Sequence, residues 1–293
     1  RTTSVNQPGE APPPVPTLLT GLIDDAAVFP PGSATLPDAV AAHRRHHAAW
    51  YADLVGPLLV PASRLAELSA LLRPDETLTV GVIGDVPPEQ LAAAPSDERI
   101  RVRQIEAQVA KRGEDPLPGL DRLLRVAAEL PDIDVYAELP LTAGLLDGLD
   151  RLAEARRDGV RIAAKFRTGG LAAELFPTTG ELAAVICACR DRGLPFKLTA
   201  GLHNAVRHID PDTGFTHHGY LNVLAATLAA ASGGDSDAVA AWLGMVASAP
   251  LVEAVRPRCG EARPLWIGYG SCSIDEPLDD LITLGLVNGG NRQ

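Results

Sequence analysis

Two similar segments of this chain decide its fold: R-I-A-A-K-F-R-T-G-G at Arg161–Gly170 and L-P-F-K-L-T-A-G-L-H-N-A-V-R at Leu194–Arg207. Each contains a short apolar run that carries one lysine and ends in a turn rich in threonine and glycine. The two lysines, Lys165 and Lys197, are 32 positions apart, about the length of one strand–helix–strand unit. This spacing predicts neighbouring parallel strands that present both lysines at the same mouth of a barrel.

The rest of the chain repeats this alternation of strand and helix. Eight short apolar runs are typical of strands, and each is followed by turn residues. They are Leu18–Phe29 (ending at Asp24-Asp25), Val55–Val60, Leu78–Ile83, Ile100–Gln108, Ile133–Leu139, Ile162–Phe166, Phe196–Ala200 and Leu265–Gly268. The pattern favours a single closed (β/α)8 barrel, or TIM barrel, over a doubly wound sheet. We expect the barrel over residues 18–293, after a Pro-rich tail at residues 1–17.

An additional helical segment is predicted between the seventh and eighth strands. Between Tyr220 and Val255 the sequence contains two alanine-rich helices separated by Ser232-Gly233-Gly234, one helix more than a minimal unit requires. The extra helix either forms an interface in a homo-oligomer or merely lengthens a connection.

Composition limits the partners of the chain. Its 293 residues carry a formal net charge of -11. Such an acidic surface argues against binding to nucleic acid or to an anionic membrane, since both need a basic footprint. No apolar run reaches the roughly 18–20 residues that span a bilayer, and Arg1–Pro16 lacks the apolar core of a signal peptide. The four cysteines suggest a reduced chain, so we expect a cytoplasmic protein that acts on a small molecule.

Polar residues gather where the predicted strands end, which in a barrel is the face that carries the active site. Two ammonium groups held close there repel each other, and one loses its proton more easily. A neutral amine can attack a carbonyl group and form a Schiff base, so Lys165 and Lys197 are the predicted reactive pair. The other catalytic candidates are Glu106 and Glu138 for proton transfer, His203 as a general acid or base, and Asp25, beside Asp24, as a base or metal carboxylate.

Two groups of residues are candidates for holding an anion. Arg167 shares strand parity with Lys165, so both side chains are expected to point inward, and a guanidinium suits a carboxylate or phosphate. The stretch G-Y-G-S at Gly268–Ser271 follows the last predicted strand and precedes a helix, where backbone N–H groups often bind phosphate. The candidates from the glycine-rich turns are Gly268, Gly270 and Ser271, joined by Gly169, Gly170 and Gly201.

Four short motifs occur in one order along the chain: V-Y-A-E-L-P-L (Val135–Leu141), A-K-F-R-T-G-G (Ala164–Gly170), P-F-K-L-T-A-G (Pro195–Gly201) and I-G-Y-G-S (Ile267–Ser271). This order resembles the deoxyribose-phosphate aldolase family of class I aldolases. The resemblance implies that Lys165 forms the Schiff base and that Lys197 makes it lose its proton more easily. It also implies that an anion binds at Gly170, Gly201, Gly270 and Ser271.

The sequence departs from that family in three places. Phe166-Arg167 replaces the small polar pair after the lysine, and Thr199–Leu202 replaces a Gly-Gly turn. The family's fourth-strand aspartate has only Glu106 as a candidate counterpart. We therefore expect a substrate other than deoxyribose phosphate, and a reaction that needs no cofactor.

A histidine cluster supports an alternative hypothesis. Within sixteen residues after the seventh strand lie His203, His208, His217 and His218. Together with nearby carboxylates they offer the ligand types of a divalent metal ion. The alternative is a metal-dependent hydrolase, lyase or isomerase that uses His203, His217 or His218 with Glu138. A third hypothesis is a non-catalytic barrel that binds a small molecule.

Overall fold

Eight parallel strands close into a barrel in the computed structural model, which describes residues 11–93 and 97–289. In chain order the strands are β1 (Ile23–Asp25), β2 (Val55–Pro61), β3 (Leu78–Ile83), β4 (Ile100–Gln108), β5 (Asp134–Glu138), β6 (Ile162–Arg167), β7 (Phe196–Thr199), β8 (His208–Ile209), β9 (Thr216–His217) and β10 (Trp266–Ser271). The short strands β8 and β9 form a separate antiparallel hairpin, and the other eight follow one another around the barrel in chain order. The predicted (β/α)8 barrel is confirmed.

Helices alternate with the barrel strands. They are α1 (Leu36–Ala48), α2 (Leu65–Leu71), α3 (Leu117–Ala128), α4 (Leu145–Arg157), α5 (Thr179–Asp191), α6 (Tyr220–Ala231), α7 (Ser236–Gly244), α8 (Ser248–Val255) and α9 (Asp275–Thr283). Local signals fix their starts: Thr178 Oγ1 accepts a hydrogen bond from Glu181 N at 3.1 Å, and the Glu181 carboxylate accepts one from Thr178 N at 3.2 Å. This capping box begins α5. Of the described helices, none is long and apolar enough to cross a membrane.

In the connection between β3 and β4, the helix is shorter than predicted. The sequence predicts a short helix over Pro88–Ala94, and the structure has a 3-10 helix at Pro88–Gln90. Ala94 lies outside the described residues.

The insertion between β7 and β10 contains the β8–β9 hairpin and the helices α6, α7 and α8. The extra helical segment is confirmed, although the sequence indicated two helices and the structure has three. The break between α7 and α8 coincides with a buried side chain of α6: Asn222 Nδ2 donates hydrogen bonds to the carbonyl oxygens of Trp242 at 2.9 Å and Met245 at 2.7 Å. The amide therefore donates to carbonyl oxygens at the point where α7 ends.

The last barrel strand is longer than predicted. β10 runs from Trp266 through Ser271, so the G-Y-G-S stretch lies inside the strand rather than in a turn after it. The parallel register with β1 pairs Ile23 with Tyr269 and Asp25 with Ser271. The rings of Trp266 and Tyr269 are buried and stack with their centroids 5.8 Å apart. Ladder pairing and aromatic burial outweigh the turn tendency of the two glycines.

Residues 1–10 of the predicted tail lie outside the described residues. Nearer the barrel, the side chain of Val15 is buried. The carbonyl oxygen of Pro14 accepts a hydrogen bond from Asn288 N at 2.8 Å. The segment that precedes β1 therefore packs against the part of the chain that follows α9.

Candidate active site

Lys165 and Lys197 lie side by side on β6 and β7, where they are direct neighbours in the parallel register. Strand alternation turns Phe166 and Leu198, which are fully buried, to the outer side of the wall. Inside the barrel, Glu106 Oε1 of β4 lies 3.4 Å from Lys165 Nζ and 3.5 Å from Lys197 Nζ. One carboxylate oxygen therefore bridges the two ammonium groups.

This bridge is the middle of a row of alternating charges. Glu138 Oε1, at the end of β5, lies 3.4 Å from Lys165 Nζ and 3.7 Å from Arg167 Nη1. On the other side, Asp24 of β1 contacts Lys197 Nζ directly. In order across the barrel the groups are Asp24, Lys197, Glu106, Lys165, Glu138 and Arg167. Because an unpaired buried charge is costly, this alternation allows these ionised groups to lie in and at the mouth of the barrel.

The two lysines differ in their environment. Lys197 is 1% exposed and Lys165 is 6% exposed. Burial by itself lowers the pKa of Lys197, but the carboxylates of Asp24 and Glu106 outweigh burial, and the pKa is raised. The ring centroid of Tyr136 lies 5.0 Å from Lys197 Nζ, and this cation–π contact also favours the ammonium form. Lys197 is therefore a fixed positive charge at neutral pH, and Lys165 is the more accessible amine.

The second carboxylate oxygen of Glu106 is available to accept a hydrogen bond. Burial raises the pKa of this carboxyl group, but Lys165 and Lys197 outweigh burial and the pKa is lowered, so the group is ionised. Its Oε2 atom is buried and has no hydrogen-bond partner among the described residues. Buried polar atoms are nearly always paired. This oxygen is therefore a ready acceptor for a hydroxyl group or water inside the barrel.

Adjacent residues of β1 point to opposite sides of the barrel wall. Asp24 faces inward to Lys197 and accepts a hydrogen bond from Gln104 Nε2 at 2.8 Å. Asp25 faces outward, where its Oδ2 lies 2.8 Å from His43 Nδ1 of α1. The structure does not bring the candidate Asp25 to the lysines; Asp24 occupies that place. The stretch H-R-R-H-H in α1 predicts solvated histidines, which is wrong for His43: it is 1% exposed because it pairs with the buried Asp25.

The glycines after β6 and β7 hold two loops together. A Cβ on Gly169 would lie 2.9 Å from Gly201 Cα, and Thr168 Oγ1 donates a hydrogen bond to the carbonyl oxygen of Ala200 at 2.6 Å. Gly201 has a φ of 76°, which favours glycine. A Cβ on Gly170 would meet the side chain of Leu175. These three glycines therefore serve close packing at the mouth of the barrel beside Lys165 and Lys197.

The two glycines of β10 have different neighbours. Gly268 has a φ of 150°, and a Cβ there would lie 2.5 Å from Leu22 O, so it allows β1 and β10 to approach closely. Gly270 is farther along β10, where a Cβ would lie 3.3 Å from Leu59 Cδ1. The hydroxyl of Ser271 already donates a hydrogen bond, at 2.5 Å, to the carbonyl oxygen two residues further on.

A cleft of about 80 Å³ opens at the carboxyl ends of β4, β5 and β6. Its polar wall includes Arg167, Arg112 and Glu138, and its apolar wall is formed by leucines and prolines. Neither guanidinium donates a hydrogen bond within the described part of the chain. The first turn of α9, which follows β10 on the other side of the barrel, carries Asp275 and Glu276. The arginine side of the mouth is therefore the more favourable side for an anion.

The histidines after β7 engage different hydrogen-bond partners, although the ring centroids of His208 and His217 are 5.4 Å apart. His218 Nδ1 lies 3.2 Å from Arg207 Nη1, and His218 Nε2 lies 2.6 Å from the Pro177 carbonyl oxygen. Because arginine can only donate, Nδ1 accepts and Nε2 carries the proton. Burial lowers the pKa of this histidine to about 4. His218 is thus a neutral residue with both nitrogens engaged.

The other two predicted ligands have separate partners. His217 Nδ1 lies 3.0 Å from Gly201 O, and His203 Nδ1 lies 3.6 Å from Glu276 Oε2. Their ring centroids are 5.8 Å apart. Within residues 11–93 and 97–289, no group of three or more histidine, cysteine or acidic side chains is arranged to hold a metal ion.

Sequence reasoning missed three residues that contact Lys197 or its partner: Asp24 as the inward member of its pair, Gln104 and Tyr136. The alternation of Gln104 with Glu106 along β4 placed both on one face, and polar residues on that face were a signal. A second signal is composition: of 26 cationic residues only three are lysines, and two of these lie in the barrel.

Fold and site define a (β/α)8 barrel with a buried cluster of two lysines and three carboxylates inside its mouth. No protein-family model, no curated protein and no solved structure matches this chain.

Proposed function

We propose that this protein is a carbon–carbon lyase of the class I aldolase type, in which Lys165 forms a Schiff base with a small carbonyl substrate. One observation carries the proposal: Lys165 Nζ lies 3.4 Å from each of two carboxylates and shares one of them with the charged Lys197. Either carboxylate can accept the proton that Lys165 must lose before it attacks a carbonyl carbon. Barrels of this kind commonly carry enzyme active sites at this face.

The first step is loss of a proton from Lys165. Glu138 is the better acceptor because it lines the cleft, whereas Glu106 is enclosed between the two lysines. The neutral amine then attacks the carbonyl carbon, and the carbonyl oxygen takes up a proton to give a carbinolamine. Protonation of its hydroxyl group by Glu138 and loss of water leave the iminium.

The iminium has the same charge as the ammonium that it replaces, so the contacts with Glu106 and Glu138 remain favourable. It draws the electron pair of the adjacent carbon–carbon bond, which breaks as a base removes the proton of the substrate's β-hydroxyl group. Glu138, which is a carboxylate again after the loss of water and lines the cleft, can accept that proton. Protonation of the resulting enamine carbon and addition of water then release the second carbonyl product and restore Lys165.

The substrate is proposed to carry an anionic group. Arg167 lies two residues after Lys165 on β6, so both face the same side of the strand, and the Arg167 side chain is 47% exposed. Arg112 lines the same cleft. A guanidinium in this position can bind a carboxylate or a phosphate in two-point fashion. A substrate that bridges Lys165 and Arg167 would present its carbonyl carbon to the amine while the anion stays at the mouth.

Borohydride trapping tests the proposal. The protein is incubated with small aldehydes and ketones, in neutral, carboxylated and phosphorylated forms, then reduced and analysed by intact and peptide mass spectrometry. Because Lys111, Lys165 and Lys197 are the only lysines of the chain, the modified residue is easily assigned. We expect one adduct on Lys165, lost in Lys165→Ala and kept in the matched control Lys111→Ala. An adduct on Lys197 instead, or no saturable adduct across the panel, would contradict the proposal.

A further inference from the structure

Asp24 contacts Lys197 inside the barrel but takes no part in the proposed catalytic steps. Asp24 Oδ2 contacts Lys197 Nζ and accepts the hydrogen bond from Gln104 Nε2 at 2.8 Å. Asp24 is 4% exposed and Gln104 is 4% exposed. The carboxylate therefore has two donors inside the barrel, one charged and one neutral.

Glycines on the two neighbouring strands provide the space for this arrangement. A Cβ on Gly56 of β2 would overlap Asp24 Oδ1. A Cβ on Gly81 of β3 would lie 3.0 Å from Gln104 Cγ and 2.6 Å from Leu59 Cδ2. Residues that face the interior of a small barrel normally fill it with side chains. At Gly56 the missing side chain is replaced by the carboxylate of Asp24.

The titratable groups that face Lys197 come from four strands. They are Asp24 on β1, Glu106 on β4, Tyr136 on β5 and Lys165 on β6. Glu106 is shared with Lys165, so Asp24 is the one carboxylate among them that contacts Lys197 alone. Displacing Asp24 would leave Lys197 with Glu106, which it shares with Lys165, as the remaining carboxylate among these groups.

We propose that Gly56 and Gln104 are positioning residues that hold Asp24 against Lys197, so that Lys197 stays an ammonium while Lys165 gains and loses its proton. Gly56 acts by leaving room for the Oδ1 atom, and Gln104 acts by donating to Oδ2. The inference bears on the proposed Schiff-base function, but its first readout does not depend on any carbonyl substrate.

The test is nitrogen-15 NMR of the lysine Nζ groups in the full chain over a range of pH. Selective labelling gives three lysine signals, and Lys111, which is exposed, serves as an internal reference. Assignment follows from Lys111→Ala and Lys165→Ala. In the wild type we expect Lys197 to remain protonated beyond the ordinary lysine value of about 10.4. In Gly56→Ala and in Gln104→Met, which keeps the size but removes the donor, its midpoint should fall by about one pH unit, a tenfold weaker hold on the proton.

Two further variants separate positioning from general loosening of the fold. Asp24→Asn should lower the Lys197 midpoint at least as far, and adding Gly56→Ala to it should cause no additional shift, because Gly56 acts through Asp24. Gly260→Ala is the matched glycine control, since nothing lies within 4 Å of a Cβ there. If Gly56→Ala does not fold, Gln104→Met with Asp24→Asn decides the question.

The possible results are distinct. An unchanged Lys197 midpoint in folded Gly56→Ala and Gln104→Met would overturn the inference, as would a wild-type Lys197 that titrates like Lys111. Lowered midpoints support it. If the midpoints shift as expected while borohydride traps no carbonyl on Lys165, the positioning stands and the aldolase proposal fails. If trapping succeeds and the midpoints do not move, the reverse holds.

Discussion

Glu106→Gln removes the charge that bridges the two lysines while keeping the shape of the side chain. In the wild type one oxygen of this carboxylate lies 3.4 Å from Lys165 Nζ and 3.5 Å from Lys197 Nζ, at a residue that is 2% exposed. Removing one partner of a buried ion pair costs about 3–5 kcal/mol. The amide oxygen of glutamine can still accept a hydrogen bond, so we expect a loss of about 3 kcal/mol, the low end of that range, in the free energy of unfolding at pH 7.

This loss should depend on pH in a definite direction. Burial raises the pKa of Glu106, the two lysines outweigh burial, and the folded-state pKa is lowered. A carboxyl group of this kind stabilises the fold fully above its unfolded-state pKa of about 4.3 and loses that contribution as the pH falls through its folded-state pKa. The wild type should therefore exceed Glu106→Gln by the full amount at pH 7 and by less at pH 4.

Urea unfolding of both proteins at the two pH values, followed by tryptophan fluorescence, measures the difference. The dependence of the unfolding free energy on urea should be unchanged, because the variant exposes no additional surface. Glu89→Gln is the matched control, since Glu89 pairs with Arg122 on the exposed surface and such pairs contribute little. A Glu106→Gln variant as stable as the wild type at pH 7 would refute the idea that this carboxylate supports the two ammonium groups.

Three other substitutions test the assignments around the barrel. Asp25→Asn should lower the free energy of unfolding by about 1.5–3 kcal/mol in urea unfolding, because the carboxylate pairs with buried His43, yet leave borohydride trapping on Lys165 intact. His218 has a pKa lowered to about 4 by burial, so its folded form resists protonation and the fold loses stability as the pH falls from 6.5 towards 4. His218→Gln should flatten that part of the stability–pH curve measured by urea unfolding. Gly268→Ala places a Cβ 2.5 Å from Leu22 O at a φ of 150°, and thermal unfolding should show a marked loss of stability.

The barrel was predictable because its strands are short apolar runs between clear turns, and strand–helix alternation leaves few topologies. The first and last residues of the strands were less predictable. β1 contains only Ile23–Asp25 of the predicted Leu18–Phe29 run, since the segment before it forms a 3-10 helix at Thr17–Leu19. β10 continues through two glycines, because pairing with β1 and burial of Tyr269 are tertiary effects that local turn tendencies do not report.

The sequence likewise predicts one part of the candidate site and leaves another part undetermined. The pairing of Lys165 with Lys197 follows from sequence spacing, because parallel neighbours of equal parity must lie side by side. The choice between Asp24 and Asp25 does not, because a one-residue difference in register exchanges the inner and outer faces of a strand. The contacts of Asp24 with Lys197 and of Asp25 with His43 of α1 identify the inward residue.

The row of alternating charges gives the two lysines different routes for proton exchange. Lys197 lies between Asp24 and Glu106 against the ring of Tyr136, where a proton that left it would have no direct route to water. Lys165 also contacts Glu138, which lines the open cleft and can exchange a proton with solvent. A lysine that forms a Schiff base must lose and regain a proton in every cycle. Of the two buried amines, Lys165 alone contacts a carboxylate that lines the cleft, so imine chemistry in this barrel would belong to Lys165.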